Sequence, residues 1–113
     1  MDMVLVTGAT GFVGRAFVDL LVSQGKHSVR VALRREGPPW PDAVERANVK
    51  DLAPDNDWAK ALDGVRVVVH AAARVHVMQD KSSSPLAEFR RVNVQGTLNL
   101  ARQAAAAGVR RFV

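Results

Sequence analysis

Met3-Val-Leu-Val-Thr7 is a short apolar run without polar alternation, the pattern of a strand covered on both faces of a parallel sheet. After it the period changes. Phe12/Val13, Ala16/Phe17 and Leu20/Leu21 recur every four residues, which predicts an amphipathic helix, and Gly25 stands where its C-terminus wants a left-handed residue. Ser28 to Leu33 reads as a second strand, and Glu36-Gly-Pro-Pro-Trp-Pro41 as a surface loop that neither element can extend through. Ala47 to Lys50 is a weaker third strand ending at Asp51-Leu52. Asp55-Asn-Asp57 offers N-caps for a short helix over Trp58 to Leu62, closed by Gly64 and packed on the sheet through Trp58 and Leu62. Val65 to Ala71 is a β-branched fourth strand. Ser84-Pro85 opens a long helix that runs to Ala107 with Gly108 as its stop. Its apolar face holds Leu86, Phe89, Gly96, Thr97 and Leu100, with Asn93 a polar residue within that stripe, and Arg111-Phe-Val113 opens a fifth strand.

Strands alternating with helices at these spacings predict an α/β fold: a Rossmann-type doubly wound parallel sheet of about four to five strands with helices on both faces. The sheet is expected to be incomplete. At 113 residues the chain is one domain at most, without repeats or a dividing linker, and it reads as the first part of a larger α/β domain. Composition is ordinary for a globular protein, 48% hydrophobic and 24% charged. No apolar run approaches the roughly 18 residues of a membrane helix, and the first strand begins without a leader, so a soluble cytoplasmic protein is expected.

The net charge of +5 changes little. The arginines are scattered singly or in pairs (Arg34–Arg35, Arg90–Arg91, Arg110–Arg111) and tyrosine is absent, which argues against nucleic acid and for a small anionic ligand. Cysteine is absent too, excluding disulfides and thiolate metal sites. His70 and His76 have no partner at metal-ligand spacing. His70, within an apolar strand, reads as a satisfied core histidine, and His76 as a solvated loop residue.

The strongest chemical signal is the turn between the first strand and its helix. Gly8, Gly11 and Gly14 sit three apart, after a strand and opening a helix, with another strand following. Gly8 and Gly11 let a pyrophosphate approach the backbone. The N–H groups of Phe12 and Val13 would cap it, and Gly14 lets the helix pack closely on the first strand. About twenty residues further on, an NAD site places an acid for the ribose 2′-hydroxyl, whereas an NADP site places arginine for the added phosphate. Arg34-Arg35 stands there, so NADP is expected, with NAD as the alternative. Asp51-Leu52 and Ala71-Ala-Ala73 end strands on the same edge of the sheet, where they could meet a nucleotide or serve only as loop and packing residues. Asn93 needs a partner if buried, and tying the long helix to backbone near the fourth strand is its expected work.

Four blocks together resemble the extended short-chain dehydrogenase/reductase family, the nucleotide-sugar epimerases and dehydratases with their reductase relatives. They are Thr7-Gly-Ala-Thr-Gly-Phe-Val-Gly14, Asp51-Leu52, Val67-Val-Val-His-Ala-Ala-Ala73, and Asn93-Val-Gln-Gly-Thr-Leu-Asn99 followed by Gly108-Val-Arg-Arg-Phe-Val113. The resemblance implies cofactor contacts at Gly8, Thr10, Gly11, Phe12, Val13 and Gly14, Asp51 and Leu52 beside the adenine, and Ala71, Ala72 and Ala73 along the cofactor channel. It also implies that Asn93 is the helix asparagine supporting the catalytic end. The family's catalytic serine or threonine follows the strand that starts at Arg111, and its tyrosine and lysine lie on the helix beyond. No catalytic residue is therefore expected within these 113 positions, and a Tyr-x-x-x-Lys pair is absent.

Ala73-Arg-Val-His-Val-Met78 is similar to sugar-nucleotide epimerases, which implies reversible oxidation of a sugar carbon. Val31-Ala-Leu-Arg34 is similar to NADP-using reductases, which implies net reduction of a carbonyl in a small substrate. A non-catalytic dinucleotide sensor or scaffold is the reading from another class. The uncovered edge of the last strand predicts self-association into a homo-oligomer, and neither a membrane nor nucleic acid is expected as a partner.

Overall fold

The computed structural model describes residues 2–34, 39–49, 52–72, 87 and 91–113. Five parallel strands form one sheet in the order β3-β2-β1-β4-β5: β1 (Met3–Thr7), β2 (Ser28–Leu33), β3 (Val44–Asn48), β4 (Val65–His70) and β5 (Arg111–Phe112). Helix α1 (Phe12–Gln24) follows β1, the short α2 (Ala59–Leu62) precedes β4, and a π-helical turn (Arg91–Gly96) runs into α3 (Thr97–Ala106). The fold expected from the alternation of elements is the fold found.

Both faces of the sheet are covered, which is why its strands read as apolar runs. On one face Val4, Val6, Val29, Val31 and Leu33 pack against Val18 and Leu21 of α1. On the other, Leu5, Ala32, Val65 and Val68 meet Trp58, Ala61 and Leu62 from the α2 region and Leu100 and Ala104 of α3. Adjacent residues of β1 therefore point into different cores, as the two-residue period of a strand requires. Trp58 and Leu62 pack as their spacing predicts.

Helix stops also fall where expected. Gly25, Gly64 and Gly108 all adopt positive φ, and Gly25 donates its N–H to the Leu21 carbonyl at 3.3 Å. The N-cap of α2 is Trp58, which carries no capping side-chain bond; Asp57, one residue before it, accepts the Ala59 N–H on its Oδ1 at 2.9 Å.

Two expectations need correction. The third strand is Val44–Asn48 rather than Ala47 to Lys50, because Val44 is buried against Val29 while Glu45 and Arg46 point outward on an edge strand. A strand with one covered edge tolerates those charges, and Arg30 reaches Glu45 at 3.5 Å. The proline-rich loop is also less superficial than its composition suggests. Trp40 is 5% exposed and fills the α1-side core beside Val44. The expected start of the long helix at Ser84-Pro85, with Leu86 and Phe89, lies outside the described residues.

Candidate cofactor site

The strand order reverses direction between β1 and β4, so the crevice outside their carboxyl ends is the switch point at which open α/β sheets bind ligands. Thr7 and Gly8 form one wall of that crevice, and His70, Ala71 and Ala72 the other. The two walls touch. Gly8 has φ +65°, and a Cβ there would lie 2.6 Å from the Ala71 carbonyl carbon and the Ala72 nitrogen. Only glycine fits, for backbone conformation and for space alike.

Gly14 is equally constrained. A side-chain carbon there would overlap the Gly8 carbonyl oxygen, so the first turn of α1 lies directly on the glycine turn. This close approach, expected on the first strand, falls on the turn just beyond it. Gly11 donates its N–H to the Gly8 carbonyl at 3.1 Å, holding the turn closed, and then starts α1 with extended backbone.

Helix α1 carries neither a capping side chain nor an acidic residue in its first turn. Its leading N–H groups, at Phe12 and Val13, receive no side-chain cap and sit beside exposed Thr10 and Gly11, at the positive end of the helix dipole. Such a cradle of bare backbone donors fits the pyrophosphate of a dinucleotide. Phe12 and Val13 are themselves 94% and 68% exposed, apolar surface beside the same crevice.

The other expected positions fall along this edge of the sheet or behind it. Arg34 directly follows β2 and is exposed. Leu52 is 6% exposed in the core beneath α3, and its carbonyl lies where a Gly96 side chain would be. Ala71 is exposed and Ala72 half-buried at the end of β4, and Asn93 is half-buried in the π-helical turn. Arg35, Asp51, Ala73 and His76 lie outside the described residues. Among the described residues no group of histidine and carboxylate side chains could hold a metal, and no helix is long and apolar enough to cross a membrane.

Three features at this edge escape sequence reasoning. Arg15, the residue after Gly14, places its guanidinium 4.7 Å over the buried Trp40 ring and 3.6 Å from Asp19. The loop after Leu52 is fastened to α3 by two amides. Gln103 Oε1 accepts the Trp58 N–H at 2.8 Å, Gln103 Nε2 donates to the Asn56 carbonyl at 2.8 Å, and Asn99 Nδ2 donates to the same carbonyl at 2.9 Å. His70, third, contacts Thr7 at 2.7 Å and Thr97 at 2.9 Å, and burial lowers its pKa from the ordinary 6.5. Two four-residue helical spacings, Arg15 with Asp19 and Asn99 with Gln103, are the traces of these contacts in the sequence.

Residues 5–113 match the model of the 3-beta hydroxysteroid dehydrogenase/isomerase family. A UDP-glucose 4-epimerase of Vibrio cholerae is 41% identical over 97% of this chain and 33% of its own length. Among solved structures, a short-chain dehydrogenase/reductase superfamily protein from Agrobacterium tumefaciens with bound NAD is 37% identical with a TM-score of 0.75, over 98% of this chain and 31% of that one. MoeE5 in complex with UDP-glucose and NAD is 31% identical with a TM-score of 0.77, over 99% of this chain and 35% of that one. The chain thus spans about one third of the length of each relative. Matched along nearly all of its residues, from the first strand onward, the chain belongs to the 3-beta hydroxysteroid dehydrogenase/isomerase family, within the extended short-chain dehydrogenase/reductases that its four sequence blocks resemble.

Proposed function

We propose that residues 1–113 are the N-terminal portion of an NAD(P)-binding Rossmann domain, in an oxidoreductase that moves hydride at a carbon of a nucleotide sugar. One observation carries this reading: a glycine turn at the switch point of the sheet, closed against β4 and leading into an uncapped helix. Gly8, Thr10, Gly11, Phe12, Val13 and Gly14 would hold the pyrophosphate, and Ala71 to Ala73 would leave room along the channel. Asp51 and Leu52 would sit at the adenine, Leu52 through its backbone since its side chain is buried. Asn93 would support the catalytic end. The bound dinucleotide supplies a hydride acceptor and donor. These residues bind and orient it, while the groups that move protons and the substrate-binding part belong to chain beyond these residues.

Arg34, exposed at the end of β2, favours NADP together with Arg35. Titration of the intact protein with NADP and NAD tests this. NADP should bind more tightly, and changing both arginines to alanine should remove the difference; equal affinities in the wild type would assign NAD instead. The nucleotide-sugar class draws support from the names of the epimerase and of the UDP-glucose complex. The same Arg34 favours a second reading, an NADP-dependent carbonyl reductase. Conversion of a UDP-hexose without net change in nicotinamide absorbance supports the first, and stoichiometric NADPH consumption with a ketone the second. A complete reading frame without a Tyr-x-x-x-Lys pair would point to a non-catalytic dinucleotide sensor. For residues 1–113 on their own, self-association into a homo-oligomer is proposed through the side of β5 that no described strand pairs, where Phe112 and Val113 are exposed, and sedimentation of this piece as a monomer at high concentration would refute it.

A further inference from the structure

His70 bridges three elements through side chains far apart in sequence. Thr7 is the last residue of β1, directly before Gly8, and it is only 1% exposed. Its hydroxyl oxygen accepts the Ala72 N–H at 3.2 Å and lies 2.7 Å from His70 Nδ1. A buried hydroxyl proton needs an acceptor, and Nδ1 is the one within reach among the contacts Thr7 makes. Nδ1 is therefore bare. The ring proton sits on Nε2 and is donated to Thr97 Oγ1, 2.9 Å away at the head of α3. The opposite tautomer would strand the proton of Thr7 in the core, whereas half-buried Thr97 can turn its own hydroxyl proton to the helix or to water. Burial favours the neutral ring that this arrangement needs. The imidazole also packs against Phe112 of β5, with ring centroids 5.8 Å apart, and the His70 N–H donates to the Val113 carbonyl at 2.8 Å.

We propose that His70 is a positioning residue for dinucleotide binding: through Thr7 and Thr97 it locks the glycine turn, the Ala71–Ala72 wall and the head of α3 together. Seating a ligand on the turn and fixing α3 then reinforce each other, since two sites that bias one arrangement are coupled in both directions. The ligand in this statement rests on the proposed function. The lock itself does not.

The test uses the intact protein as wild type, Thr97→Val and His70→Gln. Without dinucleotide, imidazole nitrogen resonances of the wild type should report the Nε2–H tautomer. Amide exchange at Ala71 and Ala72 should quicken about fivefold in Thr97→Val, the cost of one hydrogen bond acting at a distance. With NADP or NAD, both variants should bind about three- to tenfold more weakly, although Thr97 touches neither the turn nor Arg34. If His70→Gln does not fold, Thr97→Val decides alone. A wild-type Nδ1–H tautomer, or a Thr97→Val protein with unchanged exchange and unchanged affinity, overturns the proposal. Faster exchange in a protein whose wild type binds neither dinucleotide removes the dinucleotide reading and upholds the lock.

Discussion

Two helix starts in this molecule are built in opposite ways. At α2 the first two donors are taken by side chains: Asp57 takes the Ala59 N–H, Gln103 takes that of Trp58, and Asn99 with Gln103 ties the Asn56 carbonyl to α3. At α1 no side chain caps the helix, no acid stands in its first turn, and glycines keep the approach clear. A start clipped by side chains holds its loop in place, and an uncapped one leaves dipole and donors for something outside the chain. Both lie along one sheet, so the contrast separates a start that fits a ligand from one that serves the scaffold.

Breaking the cradle should have the largest effect. Gly8→Ala forces a side chain into left-handed backbone and against the Ala71 carbonyl, which should cost about 2–4 kcal/mol in urea unfolding and abolish dinucleotide binding. Breaking the scaffold separates the two regions. Gln103→Ala removes the partner given for the Trp58 N–H and one of the two donors on the Asn56 carbonyl and should cost about 1–3 kcal/mol of stability, while dinucleotide affinity of the folded protein, measured by calorimetry, changes much less. An affinity loss as large as that of Gly8→Ala would mean that the two regions act as one site.

The glycine turn, β1 and β2 were legible in the sequence because each rests on local chemistry. Apolar runs mark strands buried on both sides, and three glycines mark a turn that tolerates no Cβ. β3 is hard to place from sequence because Glu45 and Arg46 mimic loop residues, although an edge strand leaves room for exposed charge. Trp40 looked like loop surface because a proline-rich stretch says where the chain turns, not which face of the sheet its rings cover. The Asn99–Gln103 clip and the Thr7–His70–Thr97 lock were illegible for a shared reason: their partners lie 27 to 63 residues apart, and only the closed sheet brings them together.

Two smaller effects sharpen the contrast. Arg34→Ala should weaken NADP about tenfold or more through loss of a charge-assisted bond, with NAD affinity and stability unchanged, since its side chain is exposed. The smallest effect is in pH. His70 has its pKa lowered in the folded state by burial, so the unfolded chain takes up its proton first as acid is added. The stability this group contributes is complete above pH 6.5 and declines below it until the lowered folded-state pKa is passed. Thr7, Thr97 and Phe112 face the ring. Urea midpoints of the wild type should therefore fall between pH 7.5 and roughly 5.5 more steeply than those of His70→Gln.

Whether the uncapped start of α1 receives the phosphates of a dinucleotide can be read from backbone amide shifts of the intact protein as NADP or NAD is added. The largest saturable changes should fall on Gly8 to Gly14, reach Ala71 and Ala72 across the crevice, and leave the clipped amides of Trp58 and Ala59 still. Saturable binding that moves Trp58 and Ala59 while Gly11, Phe12 and Val13 stay unchanged would contradict that placement of the phosphates.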